Sequence, residues 1–298
     1  MRPLDRLHAL VSARDDGRAV ALVRIGIAAA CAAKLALVQP LFRRLGDPAL
    51  LHVPYGVGLP VHPGPALAAA WLAAALAFGL GWRTRWAGGA LAAAMAATLL
   101  ADQQLYSNHL YLLAWTVGLL CLADAGARFS LDARRGGARE VPRWPVVLLR
   151  VQASAVYFFA AASKVNPDFV TGGVLAASMR WTGPLAVPEV LGNRWVLFAL
   201  SLATIAVELW LSAALWSRRL RPGAIGLGIL LHLGMVATTR PTLELALFAG
   251  IMWCLYAAFL PAAGVAAALD RLAAAARRRG AAGVRAATKE ATGIALLP

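Results

Sequence analysis

Lys164 closes a membrane-length apolar run, in Tyr157-Phe158-Phe159-Ala160-Ala161-Ala162-Ser163-Lys164-Val165-Asn166-Pro167-Asp168-Phe169. A lysine beside hydrocarbon is expensive, and such a residue is by default a candidate functional site. Two readings compete. As a base it needs a neutral amine, which burial favours. As an anchor it stays charged, because Pro167 ends the helix and the last carbonyls favour a cation. A second polar cluster, Tyr106-Ser107-Asn108-His109-Leu110-Tyr111, opens another apolar run. Its Asn108 and His109 are either interhelical hydrogen-bonding groups or parts of a site. His232, in Leu230-Leu231-His232-Leu233, reads most simply as a satisfied core histidine. Glu208, in Ala206-Val207-Glu208-Leu209, needs a proton or a partner, and Arg150 and Arg24 are the candidate partners. No HExxH, carboxylate cluster, Gly-rich phosphate loop or nucleophile elbow is present, so no metal site is expected.

The elements that carry these residues follow from composition. The 298 residues are 60% hydrophobic and only 14% charged. Soluble domains carry about 25% charged residues, so the solvent for most of this chain is lipid. Eight segments approach the length of a spanning helix: 19–38, 64–81, 86–101, 105–123, 145–163, 195–216, 223–239 and 242–260. The expected fold is an all-α integral membrane protein, a bundle of about eight transmembrane helices. The third and fourth segments are separated only by Asp102-Gln103-Gln104, which predicts a tight hairpin. The expected organisation is a segment 1–18, a membrane domain 19–261 and a basic tail 262–298. In that tail, 266–279 is either a short interfacial helix or part of a disordered stretch. Cys31, Cys121 and Cys254 have no CxxC spacing and read as free thiols.

The net charge of +15 is not gathered on a soluble domain, which argues against nucleic acid as a partner. With the N-terminus inside, twenty of the 29 Lys and Arg residues fall in inner segments. Five (Arg43, Arg44, Arg180, Arg194 and Arg240) fall in outer loops, and four (Arg24, Lys34, Arg150 and Lys164) fall in or at the edge of spans. The positive-inside rule then predicts a multi-pass cell-membrane protein with both termini cytoplasmic. At about 1.5 Å per residue, Lys164 reaches the outer surface and His109 lies in the outer leaflet. His232 falls near the midplane, and Glu208 shares the inner half with Arg150. Lys164 and His109, with His232 within reach, converge on one outward cavity. The Pro-rich segments 39–63 and 165–194 are expected to cap it.

Several pieces occur in one order. Tyr106-Ser107-Asn108-His109-Leu110-Tyr111-Leu112 is followed by Asp124-Ala125, Phe129-Ser130-Leu131-Asp132 and Arg150-Val151-Gln152. Then come Tyr157-Phe158, Lys164, Asp168-Phe169 and Gly172, with Glu208 and His232 later. This order, over about 18–261, resembles the membrane core of the vitamin K-dependent γ-carboxylases and their bacterial relatives with a horizontally transferred transmembrane (HTTM) domain. The resemblance implies a γ-glutamyl carboxylase-like lyase that epoxidises a quinol. Lys164 would be the base, His109 the assisting group, and Asn108, Tyr111, Tyr157, Asp168, His232, Glu208 and Arg150 supporting polar residues. It implies a reduced quinone of the vitamin K or menaquinol type, entering from lipid, and a peptide or small-molecule substrate. Two departures stand out. Ser163 replaces a second lysine found in a carboxylating member, and about 37 residues follow Pro261 where the carboxylases have a large substrate-gripping region. An alternative is a non-catalytic assembly, immunity or partner-binding protein on the same bundle.

Overall fold

A backbone in hydrocarbon must satisfy its own hydrogen bonds, so apolar runs of this length fold as helices. The computed structural model describes residues 3–45, 53, 55, 64–136, 139–182, 186–240 and 243–294. It opens with helix α1 (Pro3–Ser12), strand β1 (Arg14–Asp16) and the long helix α2 (Arg18–Leu45). Helices α3 (Pro65–Leu80), α4 (Thr84–Ala101) and α5 (Asn108–Leu122) follow, then the one-turn α6 (Leu131–Arg134) and strand β2 (Glu140–Pro142). Next come α7 (Arg143–Ser163) and two short helices, α8 (Pro167–Val170) and α9 (Gly173–Ser178). The chain ends with α10 (Arg194–Ala214), α11 (Arg221–Thr238), α12 (Leu243–Tyr256) and α13 (Ala262–Ile294).

Each apolar segment is thus one helix. By length and apolarity, α2, α7, α10 and α11 can each cross a membrane alone. Helix α12 qualifies together with the start of α13, at a bend of 104°. Helices α3 and α5 are apolar but shorter. The chain is a multi-pass membrane protein with four to five such spans, fewer than the eight expected. The fold departs from all-α by one antiparallel ribbon, in which Arg14 faces Pro142 and Asp16 faces Glu140.

Two expectations about the loops need correction. Residues 39–45 are not loop: α2 continues through Pro40 to Leu45. Pro48, Pro54, Pro60 and Pro63, expected in the same cap, lie outside the described residues. The tail is neither a short helix nor disordered from the outset, because α13 runs over 33 residues. The expected hairpin is present. Asp102 turns it, its carboxylate accepting from the backbone N–H of Gln104 at 2.8 Å and of Val53 at 2.9 Å.

The segments between helices sort to two ends of the bundle. At one end Arg143 grips Asp15 with two bonds of 2.8 and 2.7 Å, Arg128 reaches Asp16 at 3.0 Å and Arg18 reaches Asp270 at 2.9 Å. There the Asp132 carboxylate accepts from the backbone N–H of Arg83 and Thr84 and from the Thr84 hydroxyl. Buried Arg24 donates to the carbonyls of Gly79, Ala125, Arg128 and Phe129. At the other end residues 178–180 join 238–240: Arg180 N–H donates to Thr238, and Arg240 N–H to Ser178, each at 2.9 Å.

Helix α7 stops at Lys164, and the chain turns back along α10. Asn166 caps α8 by accepting from Phe169 N–H at 3.0 Å, and Pro167 follows at the first helical position. Gly172 has φ +88°, and a Cβ there would sit 2.5 Å from the Leu197 side chain, so only glycine allows this approach. The first stretch of α10 therefore packs on α8 and α9, and its later stretch packs on α7. Trp216 Nε1, just past α10, donates to Ser154 at 2.8 Å, which fixes this antiparallel register.

Candidate functional site

That register sets the depth of Lys164. Its Nζ donates to Glu208 Oε1 at 3.0 Å, to Glu208 Oε2 at 2.8 Å and to the Ala160 carbonyl at 3.1 Å. Glu208 is buried, and Lys164 is about one-fifth exposed. The Phe169 ring lies 5.7 Å from Nζ. Glu208 is fourteen residues into α10, about 21 Å from Arg194. Lys164 is thus set well inside the fold, not at the end of α10 that begins with Arg194. The expected pairing of Glu208 with Arg150 or Arg24 does not form, because α7 ends beside the middle of α10 and brings Lys164 to Glu208. Arg150 instead donates to the Ala258 carbonyl at 2.7 Å and stacks 5.9 Å over Phe259.

His109 belongs to a separate cluster. Its Nδ1 is 3.1 Å from Glu244 Oε2, and Lys34 Nζ is 2.5 Å from Glu244 Oε1 and 3.1 Å from Ser107 Oγ. Lys34 is buried on α2, Glu244 sits in the first turn of α12, and His109 sits in the first turn of α5. The expected convergence of Lys164 and His109 on one cavity is therefore corrected: each belongs to its own lysine–glutamate cluster.

A third cluster lies among the same helices. Tyr157 Oη is 2.9 Å from His232 Nε2 and is also hydrogen-bonded to Tyr256 Oη. Gly228 admits the second tyrosine: a Cβ there would fall 2.0 Å from Tyr256 Oη. His232 Nδ1 is buried without a partner among the described residues. The Phe248 ring stacks on His109 at 4.9 Å and meets His232 edge-on at 5.4 Å, which joins the second cluster to the third. Tyr157 is seven residues before Lys164, on the same face of α7, and lies within the electrostatic reach of Glu208. The polar groups thus form a series: Lys164–Glu208, Tyr157–Tyr256–His232, Phe248, His109–Glu244–Lys34.

The other expected residues point elsewhere. Asn108 is exposed and accepts from Tyr106 Oη at 3.1 Å. Tyr111 is exposed against Trp115 at 6.2 Å between rings. Asp168 is exposed, and the counter-ion of Lys164 is Glu208.

The HTTM domain model matches residues 16–260. The chain belongs to the HTTM family. The match runs from β1 to the turn after α12, so all three clusters lie inside the HTTM domain. No curated protein and no solved structure matches the chain. Lys34, Ser107, Glu244 and Tyr256 are members of this HTTM site that were not expected from the sequence. Lys34 carries the same signal as Lys164, a cation in an apolar run. Glu244 lies 210 positions away, and only the fold brings it to Lys34.

Proposed function

We propose that this HTTM protein is a membrane enzyme of the cell membrane that uses Lys164 and Glu208 as an acid–base pair on a reduced quinone. We place both termini on the cytoplasmic side and count all eight apolar helices as crossings. The observation that carries the reading is the lysine–carboxylate pair held inside the fold beside an aromatic ring. An acid–base couple against Phe169 fits a ring that bears a hydroxyl.

Keeping two ions out of water costs several kcal/mol per ion unless the pair is well satisfied. Moving one ammonium proton from Nζ to Glu208 removes both charges and leaves an electron pair on Nζ. The neutral amine then takes a proton from a weakly acidic hydroxyl, and Glu208 keeps the proton it received. A reduced quinone, when bound, supplies that hydroxyl and two reducing electrons. Tyr157, hydrogen-bonded to His232 and Tyr256, offers a fixed hydroxyl two turns from Lys164 along the same face of α7. His109, oriented by Glu244 through Nδ1, keeps Nε2 for a second substrate, as the likeness to the carboxylases suggests. The exclusion of water protects strongly basic species from being quenched.

The test is mass spectrometry of lipids extracted from the purified full chain. The proposal expects close to one menaquinone-type quinone per chain. A quinone content no higher than that of an unrelated membrane protein purified in parallel contradicts it.

One observation favours a second reading. All three N–H bonds of the Lys164 ammonium are accepted within the chain, as a purely structural ion pair requires. In that case the bundle is a non-catalytic assembly, immunity or partner-binding protein. Lys164→Ala that keeps full biological function would select it.

A further inference from the structure

A pocket of about 750 Å³ lies at the end of the bundle that carries the β ribbon, and Arg150 in its wall is about 21 Å along α7 from Lys164. Arg143, Arg150, Arg218 and Arg221 line it, with Asp15 as its one carboxylate. Asp15 is already taken by Arg143. Arg150 spends only its Nε on a carbonyl. Arg221 uses its guanidinium on the Leu215 and Trp216 carbonyls, and Arg218 has no hydrogen bond or ion pair among the described residues. Three guanidinium charges therefore face one cavity without a counter-ion. Neighbouring cations repel, so the fold keeps them together only at a cost unless an anion joins them.

The rest of the lining gives the character of that anion. Ile225 and Leu260 make an apolar wall beside the arginines, with buried Phe259 behind them. The pocket also holds the first turn of α13, whose free N–H groups favour negative charge. It sits where α13 leaves α12 at 104°. A helix that turns off a span at nearly a right angle runs along the membrane surface, which puts the pocket at headgroup depth. Guanidinium forks match phosphate oxygens two by two. Basic pockets between spans at this depth suit anionic headgroups.

We propose that this arginine pocket binds the phosphate headgroup of an anionic membrane lipid, with the glycerol and upper acyl chains against Ile225 and Leu260. This site is independent of the lysine pairs. A free phosphate ion shares the chemistry but has no use for the apolar wall.

The test uses native mass spectrometry of the full chain with equal amounts of dioleoylphosphatidylglycerol and dioleoylphosphatidylcholine. The expected result is selective retention of phosphatidylglycerol. Arg218→Gln should weaken it about tenfold, the size of one lost charge-assisted bond. Arg218 bonds to nothing among the described residues, so this change should leave the melting temperature intact. Arg150→Gln serves as a second variant, and Arg277→Gln on α13, outside the pocket, should change nothing. Equal retention of the two lipids overturns the proposal, as does undiminished retention by both pocket variants. Displacement of the lipid by millimolar inorganic phosphate also overturns it, and would give the pocket to a soluble phosphate compound.

Discussion

Removing one member of the Lys164–Glu208 pair leaves the other without its counter-ion in a mostly buried place. Breaking a fully buried pair costs about 3–5 kcal/mol. The partial exposure of Lys164 brings the expected figure for Glu208→Leu to about 2–3 kcal/mol. Adding Lys164→Met should recover most of that loss, because no ion is then stranded. Thermal unfolding of the two single variants and the double variant checks this, and simply additive penalties would show that the pair is not coupled. At this scale the sequence made Lys164 legible, since a lone cation in an apolar run stands out. Its partner was not legible, because depth was counted along straight helices. The turn at Asn166-Pro167 and the close approach at Gly172 move α10 against α7 by several turns. Lys34 was equally visible, but its meaning depends on Glu244 and His109, which only packing supplies.

Helices and strands carry the next predictions. Gly228 on α11 lets Tyr256 on α12 reach Tyr157 on α7. Gly228→Ala should force the Tyr256 side chain aside and cost about 1–3 kcal/mol, the usual range for an overpacked site. The loss of the tyrosine contact should register in the near-ultraviolet tyrosine spectrum as well as in the melting temperature. The β1–β2 ribbon makes a pH-dependent clasp. Hydrogen bonds from Arg143 hold the Asp15 carboxyl below the ordinary aspartate range, against the opposing effect of burial. A carboxylate with a lowered folded value stabilises the fold above its unfolded value and loses that contribution as pH falls through the folded one. The melting temperature should therefore stay level from about pH 7 to 5 and fall below about pH 4. Asp15→Asn should lower it at neutral pH and flatten the acid decline. A residual slope belongs to Asp132: burial raises its value, but bonds from Thr84 and Arg83 outweigh this and hold it low. A pH profile of melting for the two proteins decides this, and identical profiles would rule the clasp out. The ribbon itself was invisible in the sequence, since three-residue strands leave no periodic signal.

The whole molecule has two polar ends joined by apolar helices, and this much was legible in the alternation of charge along the chain. The basic segments of residues 14–18, 81–85, 128–136, 139–143 and 218–221 meet at one end, as an in-and-out path requires. We expect a reporter fused after Pro261 to read cytoplasmic and one placed in residues 170–190 to read periplasmic or extracellular. A tail that reads extracellular would mean an odd number of crossings. What composition could not supply is the chemistry, because three clusters on six helices come together only in the folded bundle. The most direct test of that chemistry is turnover. Full-length protein in liposomes is given reduced vitamin K under oxygen, and quinone epoxide is measured by chromatography for wild type, Lys164→Gln and Glu208→Gln. The account predicts epoxide from wild type and a loss of at least about 100-fold in Lys164→Gln, the scale of one general base. Wild-type epoxide no greater than in empty liposomes, or equal turnover by wild type and Lys164→Gln, would contradict it.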